Sequence, residues 1–188
     1  MKKHSLITVL AAALVGVSTA GFPAAPGEPA GIVAEAAESN GFQYTVSSNQ
    51  VTITKYTGTA TSVTIPSYIN GKKVVAIGDE AFCYRNNHNE YQGKPIISVS
   101  IPNTVVSIGE RAFLKCPLKT VVLPASVTLV EQGAFQSCTE LTSVNIQGAA
   151  EIGSYTFQNC TKLRNVRMNA ACHKMQDAKE VFKGCSAL

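Results

Sequence analysis

A short phrase with fixed internal spacing recurs along this chain and constrains its fold more than any other feature. Each copy begins with an aliphatic residue, and the next position is usually glycine. Two variable positions, a small residue and a phenylalanine follow. The clear copies occupy residues 77–82, 108–113, 130–135 and 152–157, and the last three phenylalanines stand 22 residues apart. A fixed period in this range is typical of a solenoid, whose repeats cover one another's apolar flanks. Because solenoids commonly present a surface to a partner, the pattern favours binding over catalysis.

Aligning the repeats places one residue type in each of several columns. An alternating Val-x-Ile segment predicts a short strand with one buried face in each repeat. Pro66, Pro102 and Pro124 end the first three of these strands. The Ala-Phe-x-x-Cys segment has helical spacing and predicts a tight helical turn. The predicted fold class is therefore a repeat solenoid, mostly β with short helical turns. The core columns are Phe82, Phe113, Phe135, Phe157 and Phe182, with Cys116, Cys138, Cys160 and Cys185.

The 188 residues divide into three predicted segments. Residues 1–36 are a signal peptide and flexible leader, residues 37–55 are a β-hairpin that caps the first repeat, and residues 56–188 are the repeats. The hairpin is predicted from alternating apolar residues on both sides of a polar turn. The sequence stops at Leu188 in mid-repeat, so we expect the last repeat to be incomplete.

The first segment has the organisation of an export signal. Lys2 and Lys3 precede an uncharged apolar stretch that is short for a membrane span, and small residues follow it. Cleavage is expected after Ala20, with Ala36 as the second candidate, and a single-pass anchor is the alternative interpretation. We therefore expect a secreted or cell-surface protein that has no membrane span once the leader is removed.

The combination Ile-Gly-x-x-Ala-Phe-x-x-Cys-x-x-Leu-x-x-Val-x-Ile-Pro resembles the BspA-type leucine-rich repeats of bacterial surface proteins, over roughly residues 56–188. The resemblance implies a curved, right-handed leucine-rich-repeat solenoid with a parallel sheet on its concave face. It also implies an exported protein, often surface-associated, because members are implicated in adhesion and in binding host or matrix proteins. The chain departs from the pattern at Glu131, which occupies the glycine column, and at residues 147–148 and 169–181.

Six cysteines in an exported chain raise the question of disulfides. The column cysteines point the same way on successive turns about 5 Å apart, whereas a bridge favours Cβ atoms about 3.8 Å apart. This geometry favours a buried ladder of free thiols acting as small apolar groups over bridging. Cys83 and Cys172 lie off the column and are the better candidates for bridging or solvent exposure.

The sequence predicts neither a catalytic nor a metal centre. Cys172, His173 and Cys185 lack the paired spacing of zinc ligands, and no histidine is placed to activate a cysteine. The net charge of +4 includes no basic run, so nucleic acid is not an expected partner. We predict a protein that is not an enzyme and has no cofactor.

Function is expected at the positions that the repeat leaves free. The outward strand positions form a small polar face, which is either a ligand surface or ordinary sheet surface. An insertion at residues 84–93 is either an interface element or a tolerated mobile loop, and its tyrosines and arginine slightly favour the first interpretation. The candidate ligand-binding residues are Tyr84, Arg85, His88, Tyr91, Val122, Asn145, Asn165 and Arg167.

The function predicted from these features is a secreted or surface-displayed module that binds a protein or a glycan by shape and hydrogen bonding. The alternative is a structural spacer within a larger surface protein. A hydrolase is less favoured, because no pair of acid and base or of nucleophile and base is recognisable.

Overall fold

The computed structural model describes residues 35–172, 175 and 178–188, so the predicted signal peptide and its cleavage after Ala20 lie outside the described part. Within that part the chain is a mostly β solenoid of about five turns with almost no helix. Its strands and helix, in chain order, are β1 Glu35–Ser39, β2 Phe42–Ser47, β3 Gln50–Tyr56, β4 Ser62–Thr64, β5 Tyr68–Ile69, β6 Lys72–Ile77, β7 Cys83–Arg85, β8 Tyr91–Gly93, β9 Ser98–Ser100, β10 Ser107–Ile108, β11 Thr120–Leu123, β12 Leu129–Val130, β13 Ser143–Ile146, β14 Glu151–Ile152, β15 Asn165–Met168 and α1 Ala178–Val181.

The first three strands form an antiparallel unit. β2 pairs with β3, and the link between them contains Ser48 and Asn49 with φ of 49° and 61°, the left-handed conformation that two-residue hairpin turns favour. β1 adds to the other edge of β2. Sequence analysis did not predict β1, because residues 35–39 include no β-branched or aromatic side chain. β3 pairs in parallel with β6, which joins this unit to the solenoid.

The repeating turns carry two short strands rather than the one predicted. β6, β10, β12 and β14 pair in parallel, and this sheet aligns the aliphatic residues that open the recurring phrase. The predicted Val-x-Ile strands form a second set, in which β4 pairs with β9, β11 with β13, and β13 with β15, all in parallel. β10, β12 and β14 of the first set escaped prediction because a strand of two residues shows no alternation.

The Ala-Phe-x-x-Cys segments form successive tight turns, and the helical turn predicted for them is wrong. Around Phe113, the N–H groups of Ala112 and Leu114 donate to carbonyls three residues earlier, at 3.3 and 3.0 Å. The N–H groups of Arg111, Phe113 and Lys115 donate instead to the next turn of the solenoid, at 3.1, 2.7 and 2.9 Å. Arg111 and Lys115 have φ of 51° and 57°. A helix would direct its N–H groups along its own axis, whereas this alternation joins neighbouring turns.

A continuous stack of aromatic rings runs through the core. Neighbouring rings of the phenylalanine column have centroids 4.6 to 5.7 Å apart and interplanar angles of 15° or less. Tyr56 stacks on Phe82 at 5.3 Å and extends the stack into β3. Phe182, at the other end, is only partly buried. The fully buried rings of the column are Phe82, Phe113, Phe135 and Phe157.

The cysteine column belongs to the same core, and its thiols are hydrogen-bond donors. Each one points its S–H at the backbone carbonyl of the column phenylalanine one turn earlier, with Sγ–O distances of 3.0 to 3.3 Å. All six cysteines of the chain are free thiols in the structure. Burial raises the pKa of each column thiol, that of Cys160 to about 12, so the column remains protonated and able to donate. The pairs are Cys116 with Phe82, Cys138 with Phe113, Cys160 with Phe135 and Cys185 with Phe157.

Cys83 and Cys172 are buried and unbridged, so the expectation of bridging or exposure is wrong for both. Cys83 opens β7 directly after the buried Phe82 and is 3% exposed. Cys172 is 8% exposed and donates its S–H to the carbonyl of Ala150 at 3.2 Å. Ala150 lies 22 residues earlier, so Cys172 keeps the period of the repeats although the surrounding sequence is irregular.

Candidate ligand-binding surfaces

The insertion in the first repeat folds as a β-hairpin. β7 and β8 pair in antiparallel fashion, with Tyr84 opposite Gln92. The side chain of Asn86 organises the loop between them, because its Oδ1 accepts hydrogen bonds from the backbone N–H groups of His88 and Glu90, both at 2.9 Å. The connection therefore has a defined conformation stabilised by its own polar side chain.

Side chains on both strands attach this hairpin to the solenoid. The guanidinium of Arg85 lies 3.9 Å above the ring of Tyr91 and donates to the Tyr91 hydroxyl at 2.6 Å. That hydroxyl donates in turn to the carboxylate of Glu80, and this hydrogen bond raises the pKa of Tyr91. Lys115, from the following turn, donates to the Tyr91 carbonyl at 3.0 Å. Two of the predicted binding residues thus position the hairpin and have fewer groups free for a ligand.

The remaining hairpin candidates face solvent. Tyr84 is 43% exposed, and the ammonium of Lys94 lies 5.6 Å from the centre of its ring. His88 is exposed at the loop between the strands. A shallow cleft of about 350 Å³ lies beside Tyr84 and extends to Lys55 and Asp79. Sequence analysis singled out Tyr84 and His88 but missed Lys94, which directly follows β8, and Lys55, which only the fold brings near this side of the hairpin.

The candidates on the second strand set lie in rows across the sheet. Val122, Asn145 and Arg167 occupy equivalent register positions on β11, β13 and β15, and Asn165 lies at the start of β15. Val122 is 46% exposed, Arg167 and Asn165 are exposed, and Asn145 is partly buried. In the described part of the chain, no side-chain hydrogen bond or ring contact joins this row to the hairpin. The eight candidate residues therefore divide between two structural elements, the hairpin and the second strand set.

A row of carboxylates that follows the ends of β6, β10 and β12 was missed as a group. The carboxylate of Asp79 accepts the backbone N–H of Glu110 at 2.8 Å. Burial raises the pKa of Glu131, and repulsion from the carboxylates of Asp79 and Glu110 raises it further. The sequence feature that could have revealed this row is Glu131, because it occupies the glycine column of the repeat and adds a carboxylate next to those of Asp79 and Glu110. Within the described residues, no group of three or more histidine, cysteine or acidic side chains is arranged to hold a metal ion.

These features define a leucine-rich-repeat solenoid, and comparison with known families gives the particular family. Residues 86–188 match the BspA type leucine rich repeat region in six copies. The match covers more than half of the 188 residues, so the chain belongs to this family. No curated protein matches the sequence.

Several solved structures have a similar fold. A leucine-rich repeat protein of T. pallidum is 24% identical, with a TM-score of 0.63 over 82% of this chain and 80% of its own. One from Bacteroides capillosus is 25% identical, with a TM-score of 0.59 over 72% of this chain and 99% of its own. A leucine rich cell surface protein of Faecalibacterium prausnitzii is 28% identical, with a TM-score of 0.55 over 78% of this chain and 45% of its own. In the described ranges of our chain, no helix is long and apolar enough to cross a membrane.

Proposed function

We propose that this chain is a secreted or cell-surface binding module that holds a protein or glycan partner on its solenoid surface. Membership of the BspA type repeat family supports this proposal, as does the similarity to a cell surface protein of Faecalibacterium prausnitzii. Repeat solenoids offer extended surfaces whose residues are free to vary, because the packing columns alone maintain the fold. The module acts by shape and hydrogen bonding, with no bond-making step.

The observation that carries the proposal is the attachment of the hairpin. Arg85, Tyr91, Glu80 and Lys115 fix β7 and β8 against the solenoid, while Tyr84 remains 43% exposed. An insertion that is merely tolerated needs no such attachment, since long loops cost little free energy. A rigid, exposed tyrosine loses little conformational entropy on binding and is enriched at interface hot spots.

The row formed by Val122, Asn145 and Arg167 is the second proposed contact surface. It combines an apolar side chain, an amide and a guanidinium at one register position on three adjacent strands. Adjacent strands are about 4.8 Å apart, so these groups span about 10 Å. Such a row can contact an extended partner with one side chain per strand.

A binding screen with matched variants tests the proposal. The full chain is secreted from an expression host and screened against immobilised mucin, extracellular-matrix proteins and arrayed glycans. The Tyr84→Ser, His88→Ala double variant is expected to bind the identified partner about 30-fold more weakly or worse, because losing a hot-spot tyrosine costs about 2 kcal/mol or more. Tyr68→Ser is the control, since Tyr68 is also exposed, at 59%, but lies outside the hairpin.

Each outcome of this screen bears on the proposal. Binding that the double variant loses and Tyr68→Ser retains supports it. Unchanged binding by the double variant overturns the role of the hairpin, and the corresponding Val122 and Arg167 variants then test the strand row. The absence of binding to any probe favours the structural spacer within a larger surface protein.

Export is the remaining part of the proposal. We propose that residues 1–36 act as a signal peptide and leader, that residues 37–55 cap the repeats of 56–188, and that cleavage follows Ala20 or Ala36. A cut after Ala36 would remove two of the five β1 residues that pair with β2. Cleavage after Ala20 is therefore the expected result, and N-terminal sequencing of the secreted protein distinguishes the two sites.

A further inference from the structure

One column of the turn segments carries a different side chain in each of the first four repeats. It contains Glu80, Arg111, Gly133 and Tyr155, which follow the opening aliphatic residue by three positions. All four have left-handed φ between 51° and 63°. The position therefore accepts large side chains in this conformation, yet one turn has only a hydrogen atom there. Gly133 leaves a gap between the side chains of Arg111 and Tyr155.

The gap is a groove across three turns of the solenoid. The N–H of Arg111 donates to the carbonyl of Gln132, and the N–H of Gly133 donates to the carbonyl of Ser154, so the three turns are adjacent. Two turn spacings separate Arg111 from Tyr155, which amounts to about 10 Å. The groove has a volume of about 350 Å³, at the lower end of the range for small-ligand sites. We call it the turn groove; its lining is Arg111, Gln132, Gly133, Gln136, Tyr155, Gln158 and Lys183.

The lining of the turn groove combines cations, amides and one aromatic ring, and it contains no carboxylate. The side-chain amides of Gln136 and Gln158 are hydrogen-bonded to each other, and each amide retains further hydrogen-bonding capacity. Tyr155 is half-buried, so part of its surface remains accessible. This set suits a pyranose ring, whose hydroxyls pair with amides and whose C–H face packs on an aromatic side chain.

The two cations have carboxylate neighbours outside the groove. Arg111 pairs with Glu110 at 2.6 Å, and Lys183 pairs with Glu180 at 3.4 Å. The side chains of Arg111 and Lys183 are 35% and 60% exposed, and exposed ion pairs contribute only about 0–1 kcal/mol. A ligand carboxylate can therefore engage either cation at little cost, and a bidentate pairing with the guanidinium of Arg111 adds geometric specificity.

We propose that the turn groove binds an acidic hexopyranose unit of a polysaccharide. The ring packs on Tyr155, its hydroxyls bond to the amides of Gln136 and Gln158, and its carboxylate pairs with Arg111. The absence of a side chain at Gly133 makes the space for it. This inference rests on the proposed binding function and names a ligand class for it. The guanidinium of Arg111 also lies 5.6 Å from the centre of the Tyr91 ring in the hairpin, but neither Tyr84 nor His88 lines the turn groove.

Titration of the full chain with tetragalacturonic acid tests this assignment, and its methyl ester is the matched ligand without carboxylate charge. Isothermal calorimetry is expected to show binding of the acid and up to about fivefold weaker binding of the ester, because an exposed ion pair contributes at most about 1 kcal/mol. The Gly133→Arg variant fills the groove with the side chain that the neighbouring turn already carries at this φ. It is expected to weaken binding of the acid by about tenfold or more, although it adds a positive charge. Thermal unfolding checks that the variant remains folded.

Ser137→Arg is the control, because Ser137 also has a left-handed φ, of 58°, and does not line the groove. It adds the same charge on the same turn, and we expect binding at least as tight as that of the wild type. Tyr155→Ala leaves the backbone path unchanged and is expected to weaken binding of the acid. It replaces Gly133→Arg as the test variant if Gly133→Arg unfolds.

Equal or tighter binding by Gly133→Arg overturns the assignment and indicates general attraction to a basic surface. Equal binding of acid and ester overturns the acidic ligand. Absence of wild-type binding at millimolar ligand overturns the turn groove as a site for such sugars. That last result leaves the hairpin-dependent capture of a partner untouched, so the two proposals fail separately.

Discussion

Replacing Phe135 with alanine removes the middle ring of the phenylalanine column. Phe135 is fully buried and stacks on Phe113 at 5.0 Å and on Phe157 at 5.6 Å. Truncating a buried phenylalanine costs about 3–5 kcal/mol, and we expect a value in the upper part of this range because two stacked neighbours lose a partner. Since a domain is stable by only about 5–15 kcal/mol, Phe135→Ala is expected to fold only marginally.

Phe182→Ala is the matched control, because Phe182 is partly buried and, among the residues that the structure describes, stacks on one ring only, that of Phe157, at 5.7 Å. We expect it to cost about 1–2 kcal/mol, in proportion to its smaller buried area. Urea unfolding followed by far-ultraviolet circular dichroism measures both, since the chain contains no tryptophan to report by fluorescence. Equal losses for the two variants, or a loss below about 2 kcal/mol for Phe135→Ala, would refute the stack as a continuous source of stability.

Two further predictions concern the turns and the thiols. Ser137→Gly is expected to raise the free energy of unfolding by about 0.5–1 kcal/mol in urea titrations, because Ser137 has a φ of 58° that glycine adopts without strain; an unchanged midpoint contradicts this. The pKa of Cys160 is raised from 9.0 to about 12 in the folded protein, so its contribution to stability is present below pH 9 and is lost as the pH rises through 12. Cys160→Val is therefore expected to unfold less steeply with pH over this window than the wild type, and equal slopes argue against a buried thiol.

The sequence was sufficient to predict those parts of the fold that repeat. The columns of Phe113 and Cys116 are visible because they recur with a fixed period, and the Val-x-Ile segments because they alternate. Strands such as Ser107–Ile108 were not predictable, because two residues show no period. The tight turns were mistaken for helical turns, since a spacing of three residues between Phe113 and Cys116 fits both. Only the alternating hydrogen bonds to the next turn distinguish them.

The candidate site was predicted less well, because it depends on contacts between residues far apart in sequence. Tyr84 and Arg85 are adjacent in the chain, yet one faces solvent and the other is bound to Tyr91. That difference is set by Glu80 and Lys115, which meet Tyr91 only in the folded solenoid. The binding role of these residues, of His88 and of the strand row remains a prediction for the variants described above.

The identical packing of successive turns has a consequence for how such a chain changes in length. Excising the 22 residues from one column phenylalanine to the next would leave a ring stacked on a ring and a thiol facing a carbonyl at the junction. The scaffold would be one coil shorter and otherwise intact. Excising the 22-residue repeat that contains Gly133 would place Arg111 beside Tyr155 and close the turn groove. The number of turns in this solenoid can therefore change while the fold is kept. Ligand recognition, in contrast, depends on which turns lie next to one another.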